Sequence, residues 1–263
     1  MGAAAAAAGS DPGGSRTMSG TMRADEQIRR LAFYATPEHR CSYLPDRTAR
    51  TLFADPTVRL NSEIYSRLSL FGFRRSGRHI YRPSCPACEA CIPVRIPVQN
   101  FRPRRGQRRI WQRNCDVQVV RREPRFDVEH FALYRRYITL RHPGGGMDNP
   151  DPAQYLDFLT APWSETVFNE FRADGRLVGV AVTDRLSHGL SAVYTFFEPA
   201  LSRRSLGTFA ILWQVDECRR LGLPWLYLGY WIAASPKMAY KTGFRPLEQF
   251  REGRWVALNP DDD

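Results

Sequence analysis

The spacing of hydrophobic residues changes along the chain, and each change marks a predicted element. Ile64, Leu68 and Phe71 recur at helical spacing after Asn61, a residue that commonly caps helices. Gly72 follows directly and is a common helix terminator. These positions predict one amphipathic helix that starts at about residue 62.

Shorter alternations follow this helix. Ser76-Gly77 separates two short runs and predicts a turn between strands. Val94, Ile96 and Val98 then alternate with other residues, which predicts a further strand.

A second amphipathic helix is predicted from residue 126 to 142, because Val128, Phe131, Tyr134 and Ile138 lie in register. The sequence HPGGGMDNPDP ends it with three glycines and three prolines and predicts a long loop. We place the main domain boundary in this region.

The last hundred residues change character to hairpin, strand, helix, strand, an order typical of a mixed sheet flanked by helices. The predicted elements are strands at 166–171 and 176–183 around Ala173-Asp174-Gly175, a strand at 190–197, a helix at 205–221 and a strand at 225–228. The predicted fold class is therefore α+β. The predicted divisions are a disordered extension at 1–24, an N-terminal domain at 25–125, a linking helix and loop at 126–163, and a C-terminal domain at 164–263.

The net charge of the chain indicates which class of partner it binds. The 263 residues include 38 basic and 27 acidic ones, a net charge of +11, so a polyanion such as nucleic acid is the expected partner. Residues 102–125 are the most cationic stretch, with Trp111 among the arginines. This stretch suits RNA contact and base stacking, or it forms a solvated helix surface with Trp111 in the core. The first two dozen residues lack signal-peptide features, and we expect a cytoplasmic protein without a membrane segment.

Lysine occurs at two positions, Lys237 and Lys241, although the chain is rich in arginine. Lysine provides a compact charge whose pKa burial can lower. If Pro236 starts a helix, both lysines and Tyr240 share one face. The alternative is a solvated helix face with two ordinary cations.

Three of the six cysteines form the motif CxxCxxC at Cys85, Cys88 and Cys91. Thiolates at this spacing can hold zinc or part of an iron–sulfur cluster. Cys41 is the candidate fourth ligand, since a bacterial ferredoxin run would need cysteine where Arg95 stands. Buried thiols without a metal are the alternative.

The sequence RRSLGTF at 203–209 lies between a predicted strand and a predicted helix. Backbone N–H groups at such a start, with Gly207 permitting close approach, can hold a phosphate or an oxyanion. The order of elements around it resembles the acetyltransferase-like (GNAT) fold, and Tyr240-Lys241-Thr242-Gly243-Phe244 matches a later segment that closes the acyl pocket there.

Several stretches together resemble the aminoacyl-tRNA–protein transferases of the N-end rule pathway. They are GFRRSGRHIYRPSC (72–85), RYITLRHPGGGM (136–147), SAVYTFFEP (191–199), SLGTFAILWQ (205–214) and YLGYWIAASPKMAYKTGFRP (227–246). CSYLPDRTAR and CPACEACIPVR resemble the bacterial branch, which transfers leucine to N-terminal aspartate or glutamate. An early CxxC helps the eukaryotic branch to bind an iron–sulfur cluster. Here Leu44 follows Cys41 at that spacing, so the pair is broken.

The resemblance implies two lobes, the C-terminal one GNAT-like and catalytic, and a reaction without a required cofactor. The donor would be leucyl-tRNA, and the acceptor a protein with N-terminal Asp or Glu. Candidate acceptor-binding residues are Arg74, Arg75 and Ser76, with Lys241 as a further cation. Tyr240 would hydrogen-bond the oxyanion or the ribose hydroxyl, and Lys237 would contact the tRNA terminus. The tRNA-binding candidates are Arg102, Arg104, Arg105, Arg108, Arg109, Trp111, Arg113, Arg203, Arg204 and Gly207.

Two other functions stay open at this stage. An acetyl-CoA-dependent N-acetyltransferase would share the element order, although it does not need so basic a chain. A zinc-dependent RNA-binding module would use the cysteines structurally and carry out no transfer.

Overall fold

The core of the protein is an eight-stranded sheet, seen in a computed structural model that describes residues 26, 28–141 and 151–259. The strands are β1 (Phe33–Ala35), β2 (His39–Arg40), β3 (Thr48–Ala49), β4 (Thr51–Ala54), β5 (Arg74–Ser76), β6 (His79–Pro83), β7 (Ile92–Pro97), β8 (Gln118–Arg122), β9 (Glu165–Ala173), β10 (Arg176–Leu186), β11 (Gly189–Phe197), β12 (Trp225–Trp231), β13 (Glu248–Arg251) and β14 (Arg254–Ala257). The helices are α1 (Ser62–Leu70), α2 (Arg105–Arg113), α3 (Val128–Arg141), α4 (Pro152–Leu159) and α5 (Leu206–Arg220), with 3₁₀ helices at Pro199–Arg204 and Ala239–Gly243.

The large sheet has the strand order β14-β13-β7-β12-β11-β10-β9-β8, and a smaller sheet has the order β1-β4-β6-β5. Within the large sheet, β11 and β12 pair in parallel, whereas the other described pairs are antiparallel. The predicted mixed sheet flanked by helices is therefore confirmed. The succession β9, β10, β11, α5, β12 is the GNAT-like order that the sequence predicts.

The large sheet takes β7 and β8 from the segment predicted as an N-terminal domain. Residues from Ala32 onward form one compact unit. The domain limits at 25–125, 126–163 and 164–263 stay predictions, and these segments share one sheet. The predicted extension at 1–24 and most of the glycine- and proline-rich loop lie outside the described residues.

Alternating residues on β10 show how the sheet is covered on both faces. Val180 and Val182 pack with residues of α3 and α4. Ala181, which points the other way, packs with Phe209 of α5, against which Trp111 of α2 also lies. The core is thus two apolar layers, one on each side of the sheet.

Local signals explain where α1 begins and ends. The Asn61 side chain accepts a hydrogen bond from the Ile64 N–H at 2.8 Å, and Gly72 has a φ of 78°, so the predicted limits of α1 are confirmed. Phe71, predicted to lie on the apolar face of the helix, is 51% exposed because α1 ends before it.

Strand β8 and helix α4 were not predicted. The many arginines around β8 and the glycine- and proline-rich sequence before α4 obscure the periodic pattern of apolar residues. Within the described residues, no helix is long and apolar enough to cross a bilayer.

A buried ion pair joins the small sheet to the large one. Arg75 on β5 donates to Asp184 on β10 from Nε at 2.5 Å and from Nη2 at 2.7 Å, and both side chains are fully buried. Arg75 also donates to the Leu159 carbonyl at 2.9 Å, and Thr166 donates to Asp184 at 2.7 Å. The pair therefore fixes β5 against β10 and α4.

We expect Arg75→Met to lower the free energy of unfolding by about 3–5 kcal/mol, because it leaves Asp184 buried without its cation. Urea unfolding measures the change. Arg78→Met is the control, since Arg78 is exposed on the same hairpin. The double variant Arg75→Met/Asp184→Leu should recover part of the loss; a wild-type stability for Arg75→Met alone would contradict the prediction.

Candidate active site

The parallel strands β11 and β12 separate after a short contact, and this gap forms the centre of the candidate site. They pair from Gly189–Ser191 to Trp225–Tyr227. Beyond that point β12 has a bulge between Tyr227 and Gly229, where Gly229 adopts a φ of 77°. That bulge lies in the pairing of β12 with β7, whereas the pairing of β12 with β11 ends at Ser191 and Tyr227. Carbonyl groups of β11 beyond Ser191 therefore need another partner.

Arg74 fills this gap from the small sheet. Its Nη2 donates to the carbonyls of Ala192 at 3.0 Å and Val193 at 3.4 Å. A Cβ at Gly229 would lie 1.7 Å from Nη1 of Arg74, so only glycine leaves room for the guanidinium. In the part of the chain that the structure describes, no carboxylate pairs with Arg74. Its remaining N–H donors are therefore available to an anionic ligand.

Three tyrosines lie around this guanidinium. Desolvation raises the pKa values of Tyr43, Tyr230 and Tyr240, and the positive charge of Arg74 opposes the rise at each hydroxyl. Tyr230 is buried, and its single hydroxyl proton is shared between the carbonyls of Gly72 and Tyr81, each 3.2 Å from the hydroxyl oxygen. Tyr43 and Tyr240 are 47% and 51% exposed, so their rings border the opening of the site.

Lys241 lies on the inner side of the site. It is 5% exposed, and its Nζ donates to the backbone carbonyl of Tyr230. Burial and the charge of Arg74 lower its pKa to about 7. Lys241 therefore exists in both protonation states at neutral pH, which suits proton exchange better than permanent pairing with a carboxylate.

The segment that carries Lys241 differs from the predicted helix. Successive i to i−3 hydrogen bonds, such as Lys241 N–H to Met238 O at 3.1 Å, give turns and a 3₁₀ helix. Pro236 does not start an α-helix, so that prediction is wrong. Because Tyr240 is exposed and Lys241 is buried, Lys237, Tyr240 and Lys241 do not share one face. Lys237 is exposed.

The two other predicted acceptor-binding residues have different surroundings. The Arg75 side chain is wholly buried against Asp184, so its charge is neutralised within the protein. This geometry contradicts a role for Arg75 in binding an acceptor. Ser76 is half-buried at the end of β5, where it pairs with His79. The structure thus places Arg74, and not Arg75, in the gap with Tyr240 and Lys241.

The basic segment forms an exposed surface that continues to the start of α5. Its exposed arginines are Arg102, Arg104, Arg105, Arg108, Arg109 and Arg113. Arg113 donates to the carbonyl of Arg203, next to Arg204, whose guanidinium pairs with Asp116 at 2.9 Å. We call these exposed arginines together with Arg203 the basic surface. The structure therefore joins two segments that the sequence presented separately.

Two tRNA-binding candidates lie in less open positions. Trp111 is half-buried and packs on Phe209 with ring centroids 5.6 Å apart, which favours the core alternative over base stacking. A Cβ at Gly207, in the first turn of α5, would lie 3.1 Å from the Phe197 ring. Ser205, the residue directly before α5, makes no side-chain capping bond, so the first N–H groups of α5 are not capped by that side chain.

The four predicted metal ligands are neighbours. Desolvation, followed by the charges of Cys41, Cys85 and Cys88, raises the pKa of Cys91 to about 12. The Cys41 Sγ accepts from the N–H groups of Tyr43 and Leu44 at 3.5 and 3.4 Å. Over the described ranges, however, no three His, Cys, Asp or Glu side chains are arranged to hold a metal ion. The thiols have suitable chemistry but not the coordinating arrangement, and we assign no reaction step to a metal.

Two segments of the chain match one protein family. The arginine-tRNA-protein transferase N terminus matches residues 39–109, and the C terminus of the same family matches residues 129–251. The chain belongs to this transferase family. The predicted aminoacyltransferase class is therefore confirmed.

This chain aligns with several curated relatives over nearly their whole length. The aspartate/glutamate leucyltransferase of Hahella chejuensis is 52% identical over 88% of this chain and 99% of the relative. Those of Pseudomonas fluorescens strain SBW25 and Pseudomonas aeruginosa strain PAO1 are 55% and 53% identical, over 89% and 88% of this chain and 99% of each relative. The predicted resemblance to the bacterial leucyltransferases is confirmed.

Solved structures give a weaker comparison. The L-PGS of Bacillus licheniformis covers 84% of this chain and 78% of its own with 9% identity and a TM-score of 0.45. The C-terminal domain of a lysylphosphatidylglycerol synthetase of Agrobacterium fabrum covers 61% of this chain and 49% of its own, with 13% identity and a TM-score of 0.42. Neither value establishes a shared fold.

Sequence reasoning missed Gly229, Tyr230 and Tyr43. Gly229 carried a usable signal, because an isolated glycine within a strand pattern indicates a bulge or close backbone approach. Tyr43 and Tyr230 carried none, since nothing in their local pattern separates them from other tyrosines.

The lowered pKa of Lys241 predicts a pH dependence of stability. Between about 7, its pKa in the folded protein, and 10.5, its ordinary value, the unfolded chain binds one more proton, so the Lys241 contribution to stability rises with pH. Lys241→Met should remove a rise of at most about 1.4 kcal/mol per pH unit. Urea unfolding at two pH values in that interval, for wild type and variant, measures it. Exposed Lys237→Met is the control, and equal slopes for Lys241→Met and wild type would contradict the assignment.

Proposed function

We propose that this enzyme transfers leucine from leucyl-tRNA to the α-amine of proteins that begin with Asp or Glu. The observation that carries the proposal is the identity of 52–55% to aspartate/glutamate leucyltransferases along 99% of those relatives. The product would carry leucine at its N-terminus, which is expected to direct it into N-end rule degradation. Since charged tRNA is a cytoplasmic donor, we place the activity in the cytoplasm.

Arg74 is the proposed binder of the acceptor's side-chain carboxylate. Its guanidinium is held by β11 carbonyls and lacks a carboxylate partner in the described part of the chain. A planar guanidinium matches a carboxylate with two parallel hydrogen bonds. An acceptor with a neutral first side chain would leave these donors unsatisfied, which supplies a physical basis for selecting Asp and Glu.

Tyr240 and Lys241 are the proposed groups at the reacting atoms. The neutral α-amine attacks the carbonyl carbon of the aminoacyl ester, and the tetrahedral oxyanion accepts a hydrogen bond from Tyr240. The attacking nitrogen loses a proton to neutral Lys241, and the C–O bond to the ribose breaks. Lys241, then protonated, returns the proton to the leaving ribose oxygen, so the proton count balances. The ester is already activated, and positioning supplies much of the remaining barrier reduction without a cofactor.

The donor tRNA is proposed to bind the basic surface, which leads to the start of α5. Exposed arginines suit the phosphate backbone, and the first turn of α5 at Gly207, which the Ser205 side chain does not cap, suits a backbone phosphate near the tRNA terminus. Lys237, exposed near Tyr240, is the proposed contact to the tRNA terminus. Occupancy of the four cysteines by zinc or an iron–sulfur cluster stays a prediction.

Incubation with charged tRNA pools and peptides that begin with Asp, Glu or Ala tests the proposal. We expect leucine to appear on the Asp and Glu peptides and not on the Ala peptide, because only the acidic side chains satisfy Arg74. Mass spectrometry of the peptides identifies the added residue. Acetyl-CoA in place of charged tRNA is the control for the acetyltransferase alternative. Transfer of arginine, equal use of the Ala peptide, or acetylation would contradict the proposal.

Arg74→Met should reduce kcat/KM for the Asp peptide by roughly a hundredfold, the loss expected when a charged hydrogen-bonded pair is removed. Preference for Asp over Ala should fall with it, while tRNA binding is retained. Steady-state kinetics with both peptides gives the ratio. Arg78→Met on the same hairpin is the matched control, and thermal unfolding checks that Arg74→Met is folded. An unchanged Asp-to-Ala ratio would exclude Arg74 as the carboxylate binder.

A further inference from the structure

Gln107 connects the basic surface to the segment that carries Tyr240 and Lys241. It lies on α2 between exposed arginines, yet its own side chain is 8% exposed. Its Oε1 accepts from the Arg104 N–H at 2.8 Å, which caps the first turn of α2. Its Nε2 donates to the Gly243 carbonyl at 3.0 Å. One side chain therefore holds the start of α2 and the end of the 3₁₀ helix Ala239–Gly243, which we call the catalytic turn.

The same two segments meet at a second contact. Phe101, just before α2, stacks on Phe244, just after the catalytic turn, with ring centroids 6.1 Å apart and ring planes 29° apart. Both phenylalanines are buried. The ring stack supplies apolar contact without fixing a direction, whereas the Gln107 bond is directional and ends on the turn itself.

We propose that Gln107 is a positioning residue that holds the catalytic turn in register with the RNA-binding helix. The proposal rests on the proposed function, because it assigns α2 to the donor tRNA and the turn to the reacting atoms. In a donor bound along α2, the position of the terminal ester would be set by α2. Through Gln107, the positions of Tyr240 and Lys241 are set by the same helix. Without the bond, the turn keeps its apolar packing but loses the contact that sets its position.

Substitutions can distinguish the hydrogen bond that the Gln107 amide oxygen accepts from the one that its NH₂ group donates. Gln107→Glu keeps an oxygen that accepts from Arg104 N–H and removes the donor to Gly243, where carboxylate and carbonyl oxygens then repel each other. Gln107→Met has a similar shape and loses both bonds. Gln154→Glu makes the same amide-to-carboxylate change at an exposed position of α4, which belongs neither to α2 nor to the catalytic turn. It is therefore the matched control.

We expect Gln107→Glu to lower kcat roughly tenfold to a hundredfold, the range for a small misplacement of reacting groups. Its KM for charged tRNA and its melting temperature should stay near wild type, because α2 remains capped. Gln107→Met should lose kcat to a similar extent, and Gln154→Glu should retain it. Wild-type kcat in Gln107→Glu, or a loss of kcat confined to Gln107→Met, would assign Gln107 to capping alone and overturn the proposal.

Amide hydrogen exchange gives a readout that does not depend on transfer. Exchange in residues 239–245 should be faster in Gln107→Glu than in wild type, while exchange in α2 is unchanged. If wild type shows no leucine transfer, the proposed function fails, and this exchange measurement still decides whether Gln107 holds the turn. Unchanged exchange in 239–245 would overturn the proposal in either case.

Discussion

The buried Arg75–Asp184 pair is the interaction on which the arrangement of the site depends. It fixes β5 of the small sheet against β10 of the large one, with additional bonds from Arg75 to α4 and from Thr166 to Asp184. Neighbouring residues on a strand point to opposite sides, so fixing Arg75 also fixes where Arg74 points. Arg74 thereby enters the gap between β11 and β12. A structural cation and the proposed ligand-binding cation are thus adjacent in sequence and differ in their surroundings.

The gap concentrates positive charge without a neutralising carboxylate from the described residues. Arg74 occupies the space that Gly229 leaves, and its charge adds to burial in lowering the pKa of Lys241 to about 7. The same charge therefore serves two purposes in the proposed reaction. It attracts an acidic acceptor, and it helps to keep a nearby amine partly neutral so that it can accept a proton.

Much of this fold was predictable because its signals are local. The Asn61 cap, the Asp174-Gly175 turn and the periodicity of α5 each depend on residues close in sequence, and all three lie where the pattern places them. Long-range features were not predictable. Whether Trp111 faces solvent or Phe209, and which of Arg74 and Arg75 meets Asp184, depends on packing between segments about a hundred residues apart.

The sequence by itself determined the transferase family, the positive net charge and the segments that carry the basic and lysine-containing motifs, because motifs and net charge do not depend on folding. Only the tertiary structure decided which charges are available. It neutralised Arg75 with Asp184, left Arg74 in the strand gap and buried Lys241 beneath exposed Tyr240. The physical reason is that the effective charge and pKa of a side chain are set by burial and by its neighbours in space, and a linear pattern specifies neither.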